Sequence, residues 1–129
     1  ISTDHAPHHI DEKNCEFQNA LNGIIGLETS FPLANTELVE GGYLTPYGLV
    51  EKMSFNPGKI LHNGKGTLSD GADADITIAD PNEEYIIDPE DMVSKAKNTP
   101  FGGRTVKGKI LYTIVGGEIV VDNGVLMKK

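Results

Sequence analysis

The chain divides near Asn63. Apolar residues recur at helical spacing before that point, and strand-like alternation begins only at Asp75. The order is therefore loop, helices, then strands. Each half supplies one kind of layer and nothing to close it. The strand half offers a few short strands, too few to bury a core alone. Aromatic content of 6% and the lack of Trp agree with a chain that packs against segments outside itself.

Local signals place the elements. Leu27, Phe31, Ala34 and Leu38 share a helical face, with Pro32 near the first turn and Gly41-Gly42 as the stop. Thr45-Pro46 is an N-cap followed by a first-turn proline. It predicts a helix to about Ser54 that buries Leu49, Val50 and Met53. Asn56-Pro57 repeats the signal for a short helix carrying Ile60 and Leu61. Residues 75–79 and 84–87 read as two strands, 89–96 as a helical turn, and 98–103 as an irregular loop. Residues 110–115 and 118–121 flank Gly116-Gly117 as a hairpin, and Asn123-Gly124 marks a second tight turn.

Charge and cysteine content exclude some functions. The net charge is -8 and the basic residues are scattered, apart from a Lys128-Lys129 tail. A nucleic-acid partner needs a basic face, and none is present. No apolar run approaches the ~20 residues of a membrane span. A single cysteine, Cys15, excludes an internal disulfide and suits a reducing, cytoplasmic compartment.

Chemistry concentrates at the start. Thr3-Asp4-His5-Ala6-Pro7-His8-His9 places a carboxylate and several imidazoles in one short loop. Asp and His bind zinc and move protons near neutral pH. Asp4 and His8, four residues apart with Pro7 stiffening the turn, can face one pocket. Spacing alone leaves two readings open, solvated histidines or a metal and catalytic site. His62 stands apart at a helix end. The scaffold that would position such a loop does not precede it, so a C-terminal piece of a larger enzyme is expected.

The chain resembles the C-terminal third of bacterial-type dihydroorotases, members of the metal-dependent amidohydrolases. The resemblance rests on motifs in order: Thr3 to His8, Gly23-Ile24-Ile25-Gly26-Leu27-Glu28-Thr29, Asn56-Pro57-Gly58-Lys59-Ile60-Leu61, Gly71-Ala72-Asp73-Ala74-Asp75, Lys97-Asn98-Thr99-Pro100-Phe101 and Thr113-Ile114-Val115-Gly116-Gly117. It implies an α/β fold, the C-terminal part of a TIM barrel plus part of a composite β-sandwich. Residues 1–62 would be the last barrel strand's end, its loop and the closing helices. Residues 63–129 would be the C-terminal strands of the sandwich.

The implied activity is zinc-dependent interconversion of L-dihydroorotate and N-carbamoyl-L-aspartate in pyrimidine biosynthesis. Zinc, as one ion or a pair, activates water and polarises the ring amide. Asp4 aligns with the family's metal ligand and proton shuttle. His8 aligns with the histidine that holds the substrate carboxylate, and Asn22-Gly23 with a pair that contacts substrate through the backbone. Many relatives carry an aromatic residue where Asn22 stands. His5 is expected to support the loop and His9 to face solvent. The other zinc ligands belong to segments outside this chain, so the chain alone is expected to be inactive. Expected partners are the small-molecule substrate and the rest of the enzyme, with a homodimer or aspartate transcarbamoylase as further assemblies. The alternatives are a hydantoinase or allantoinase, and a non-catalytic dihydroorotase-like scaffold subunit.

Overall fold

A computed structural model describes residues 1–127, and the Lys128-Lys129 tail lies outside the described residues. The strand half forms one antiparallel sheet in the order β1-β2-β3-β4. Its strands are β1 (Ile76–Ile86), β2 (Thr105–Val115), β3 (Glu118–Asp122) and β4 (Val125–Leu126). Gly116 and Gly117 both take positive φ, 57° and 84°, which joins β2 to β3 in the sense that matches strand twist. Asn123 and Gly124, at 48° and 79°, repeat the device between β3 and β4.

The two strands expected at 75–79 and 84–87 are one strand. Its register with β2 slips between Asp80, opposite Lys109, and Glu84, opposite Lys107. The Asp80 carboxylate accepts the Asn82 N–H at 2.8 Å, which folds Pro81 into a bulge. A bulge is where a strand tolerates proline, so pairing resumes beyond it.

The helical half begins with a single turn, α1 (Ile10–Lys13). Helix α2 (Ser30–Ala34) continues through a wide π turn, Asn35–Glu40, and ends at Gly41. Pro32 lies in its first turn, as expected. Helix α3 (Pro46–Val50) has Thr45 as its cap, whose hydroxyl accepts the Gly48 N–H at 3.0 Å. A second start at Asn56 is not observed. Chain from α3 passes through a π turn, Glu51–Phe55, straight into α4 (Asn56–Leu61). Pro57 cannot donate and would crowd the preceding turn of a regular helix. The π turn, in which Asn56 N–H reaches back to Glu51, widens the helix just before it. His62 caps α4 in the left-handed region, at φ 51°. Of the turn expected at 89–96, only the 3₁₀ segment Pro89–Asp91 forms.

The core is small. Ile25, Ala34, Leu49, Ile87 and Val106 are its buried apolar residues, with Pro32 beside them. Leu49 is buried as expected, but Met53 is only half-buried and Val50 is exposed; Ile60, Leu61 and, ahead of α2, Leu27 are exposed as well. Apolar helix faces left open are what a layer without its partner layer shows.

A polar seam joins the halves. Asn35, 3% exposed, donates through its carboxamide to Pro81 C=O at 2.9 Å and Lys107 C=O at 3.1 Å. Thr36 Oγ1 accepts the Lys107 N–H at 2.8 Å. Gly108 lies beneath, at φ 111°, and a Cβ there would sit 3.0 Å from Phe31 Cε1 and 3.2 Å from Asn35 Nδ2. Glycine is what lets the helix approach β2 so closely. Asn35→Ala removes the two hydrogen bonds of a buried carboxamide to part-buried carbonyls and should cost about 1–3 kcal/mol, read by urea unfolding. A change under about 0.5 kcal/mol would show that the seam does not bear on stability.

An ion pair braces the β2–β3 turn. Asp75 Oδ1 accepts Gly116 N–H at 2.7 Å, and its other oxygen meets Lys65 Nζ at 2.6 Å. The Lys65 hydrogen bond, then that of Gly116, holds the Asp75 carboxyl below its ordinary 3.8, and the hydrogen bonds that Lys65 donates to Asp73 and Asp75 raise its ammonium above 10.5. A lowered carboxyl stabilises above its ordinary pKa and loses this as pH falls through the folded value. A raised ammonium stabilises below its ordinary pKa and loses this as pH rises through the folded value. The brace is therefore complete between those limits. In an NMR titration the Gly116 amide should report an Asp75 midpoint below 3.8, and a midpoint at or above it would contradict the brace.

Candidate functional site

The loop of residues 3–9 runs beside the segment 22–26. His5 and Ile24 form a parallel bridge, and Ala6 N–H donates to Ile24 C=O at 2.9 Å. Two arms are thereby held side by side, one carrying Asp4 and His8, the other Asn22 and Gly23. Asp4 takes φ 45°, a left-handed conformation that Asp and Asn tolerate better than most residues. Its side chain is exposed and makes no hydrogen bond or ion pair among the described residues. The carboxylate is thus open to an external ligand.

His8 is more enclosed, with its side chain 22% exposed. Its Nδ1 lies 3.7 Å from Glu12 Oε2, beyond hydrogen-bond range. Its Nε2 faces the other arm: a Cβ built on Gly23 would lie 3.4 Å from it and 2.5 Å from Ala6 Cβ. Gly23 has φ 110° as well. Both space and backbone require glycine there. Asn22 is exposed beside it. The structure therefore brings His8 and Gly23 together and leaves Asp4 and Asn22 accessible.

The remaining histidines have local duties. His5 Nδ1 accepts the N–H of Gly26 at 3.1 Å and of Leu27 at 3.4 Å, which supports the loop as expected. His9 caps α1, with Nδ1 accepting Asp11 N–H at 3.3 Å, and its ring is largely solvent-facing. Among the described residues, no three His, Cys, Asp or Glu side chains converge to hold a metal ion. Asp4, exposed and without a side-chain partner among the described residues, is a donor that a metal ion could take.

Two polar side chains that sequence reading did not assign to the site hold the arms. Lys13 Nζ donates to Leu21 C=O at 2.7 Å and Gly23 C=O at 3.0 Å. Asn98 contacts both arms through its side chain and accepts Ile25 N–H at its backbone carbonyl, at 3.1 Å. It is remote from His8 in sequence, so no local spacing could link them. Only its place in the Lys97 to Phe101 motif marked it.

Known proteins share this arrangement of segments. The model of the amidohydrolase family matches residues 1–120. The chain belongs to the amidohydrolase family. A dihydroorotase of Acetivibrio thermocellus is 54% identical over 127 residues, 98% of this chain and 30% of that protein. Amidohydrolases of known structure superpose well. The L-hydantoinase (dihydropyrimidinase) of Arthrobacter aurescens gives a TM-score of 0.80 at 37% identity, over 87% of this chain and 25% of its own. The D-hydantoinase (dihydropyrimidinase) of a Thermus species gives 0.89 at 27% identity, over 100% of this chain and 29% of its own. The chain thus spans about 30% of the length of the dihydroorotase it matches. As a partial amidohydrolase fold it is a small α/β unit with an antiparallel sheet. Among the described residues no helix is long and apolar enough to cross a membrane.

Gly23→Ala forces the two arms apart and strains the backbone, and should destabilise the protein by about 1–3 kcal/mol. An unchanged melting temperature would show that the arms do not meet at Gly23.

Proposed function

We propose that the chain is the C-terminal share of a dihydroorotase, a cyclic amide hydrolase that interconverts L-dihydroorotate and N-carbamoyl-L-aspartate in pyrimidine biosynthesis. The observation that carries this is the identity to a dihydroorotase over nearly the whole chain, well above that to the hydantoinases. The division expected at residue 62 belongs to the same proposal: closing helices of a TIM barrel before it, strands of a composite sandwich after it. The open faces of Val50, Ile60 and Leu61 support it, since a barrel's outer helices need strands beneath them.

Asp4 would serve as a zinc ligand and proton carrier. A zinc ion completed by ligands from other segments would polarise the ring amide carbonyl. The open Asp4 carboxylate takes the proton released as water adds to that carbonyl, and passes it to the leaving ring nitrogen. His8, with Nε2 turned towards Gly23, holds the substrate carboxylate. The backbone at Asn22-Gly23 lines the same pocket. The exposed free thiol of Cys15 suits a cytoplasmic enzyme.

In the enzyme completed by its remaining segments, Asp4→Asn should lower kcat by about a thousandfold or more, because a carboxamide cannot carry the proton. His8→Ala should raise KM by roughly tenfold to a hundredfold with a smaller change in kcat. The isolated chain with added zinc should not turn over dihydroorotate. Preference for a hydantoin or allantoin over dihydroorotate in a substrate panel would overturn the proposal, as would measurable turnover by the isolated chain.

A further inference from the structure

We infer that Asn98 is a positioning residue that sets the distance between His8 and Gly23, and through it the fit of the substrate. The inference rests on the proposed dihydroorotase reading for its kinetic consequence. Its structural part stands on the hydrogen bonds alone.

Asn98 reaches both arms from a distant part of the chain. Its Nδ2 donates to Ala6 C=O at 3.0 Å and to Gly23 C=O at 3.3 Å. Its Oδ1 accepts the His8 N–H at 3.3 Å. A carboxamide has two N–H donors and a carbonyl acceptor, and this site engages all of them. Only one orientation of the amide satisfies the three partners, so its assignment is fixed by the network.

The position cannot be filled by another side chain of similar size. Aspartate keeps the acceptor for His8 but turns oxygen towards two carbonyl oxygens. Leucine matches the volume and satisfies none of the three. Lys13 already holds Gly23 C=O from the far side of its own loop, at 3.0 Å. Asn98 is what ties that carbonyl to the His8 arm. Its own segment is anchored in turn: the Glu28 carboxylate accepts the N–H of Val93 at 2.8 Å and of Ser94 at 3.0 Å, and Lys97 Nζ donates to Met92 C=O at 2.7 Å. The clamp is therefore mounted on a braced strap and can impose a spacing.

The consequence differs from that of a general loss of stability. The bonds fall on Ala6, His8 and Gly23, which frame the substrate side, while Asp4 lies beyond them. Asn98→Asp in the completed enzyme should raise KM for dihydroorotate by roughly tenfold, with kcat held within about threefold. Asn98→Ser serves the same purpose should the aspartate variant fail to fold. Hydrogen exchange at the amides of Ala6, His8 and residues 23–25 should quicken in either variant.

Raised KM with quickened exchange in both arms supports the inference. An unchanged KM, or a fall in melting temperature with both kinetic constants unmoved, overturns it. A parent enzyme inactive on dihydroorotate would sink the proposed function instead, and amide exchange then decides the clamp: equal exchange in parent and variant overturns it.

Discussion

Helices and sheet in this chain meet where Asn35 donates to the carbonyls of Pro81 and Lys107, above a glycine that leaves room for it. Few buried apolar residues stand behind that contact. A small core gives limited hydrophobic stabilisation, so the direction of packing falls to polar groups that must find their partners. The Pro81 bulge is part of the same solution. It frees a carbonyl from the β1–β2 ladder and aims it at the helix.

A second carboxamide repeats the logic at the candidate site. Asn35 fixes the helix on the sheet, and Asn98 fixes one loop on another. In both places an amide from one half of the chain spans two backbone segments. Amides suit this work because they donate and accept without a charge to desolvate. The ion pairs of Arg104 with Glu37 and of Lys107 with Glu40 lie at the exposed rim of the first join. Such pairs contribute little in water.

Much of this was legible in the residues. Turn glycines, the Thr45 cap and the hairpin followed from local chemistry, because each is decided within a few residues. The merged helix at Asn56-Pro57 was not, since proline after a good N-cap residue reads as a start. The π turn that carries the chain past Pro57 leaves no sequence signature. Merging of two strands into β1 depended on the side chain of Asp80 and on a helix distant in sequence. Burial was misjudged at Val50, and only half met at Met53, because helical periodicity marks an apolar face without showing what covers it. At the candidate site Asp4, His8 and Gly23 were found by motif. The clamp was not, because hydrogen bonds between distant segments have no period to detect.

The left-handed backbone at Asp4 has an evolutionary consequence. Among residues with a Cβ, asparagine holds that conformation about as readily as aspartate, and glycine holds it freely. Codons for both lie one base change from those of aspartate. A duplicated gene could therefore lose its carboxylate in a single step while the loop, the clamp and the fold went on undisturbed. The backbone at this position therefore does not itself demand an acid.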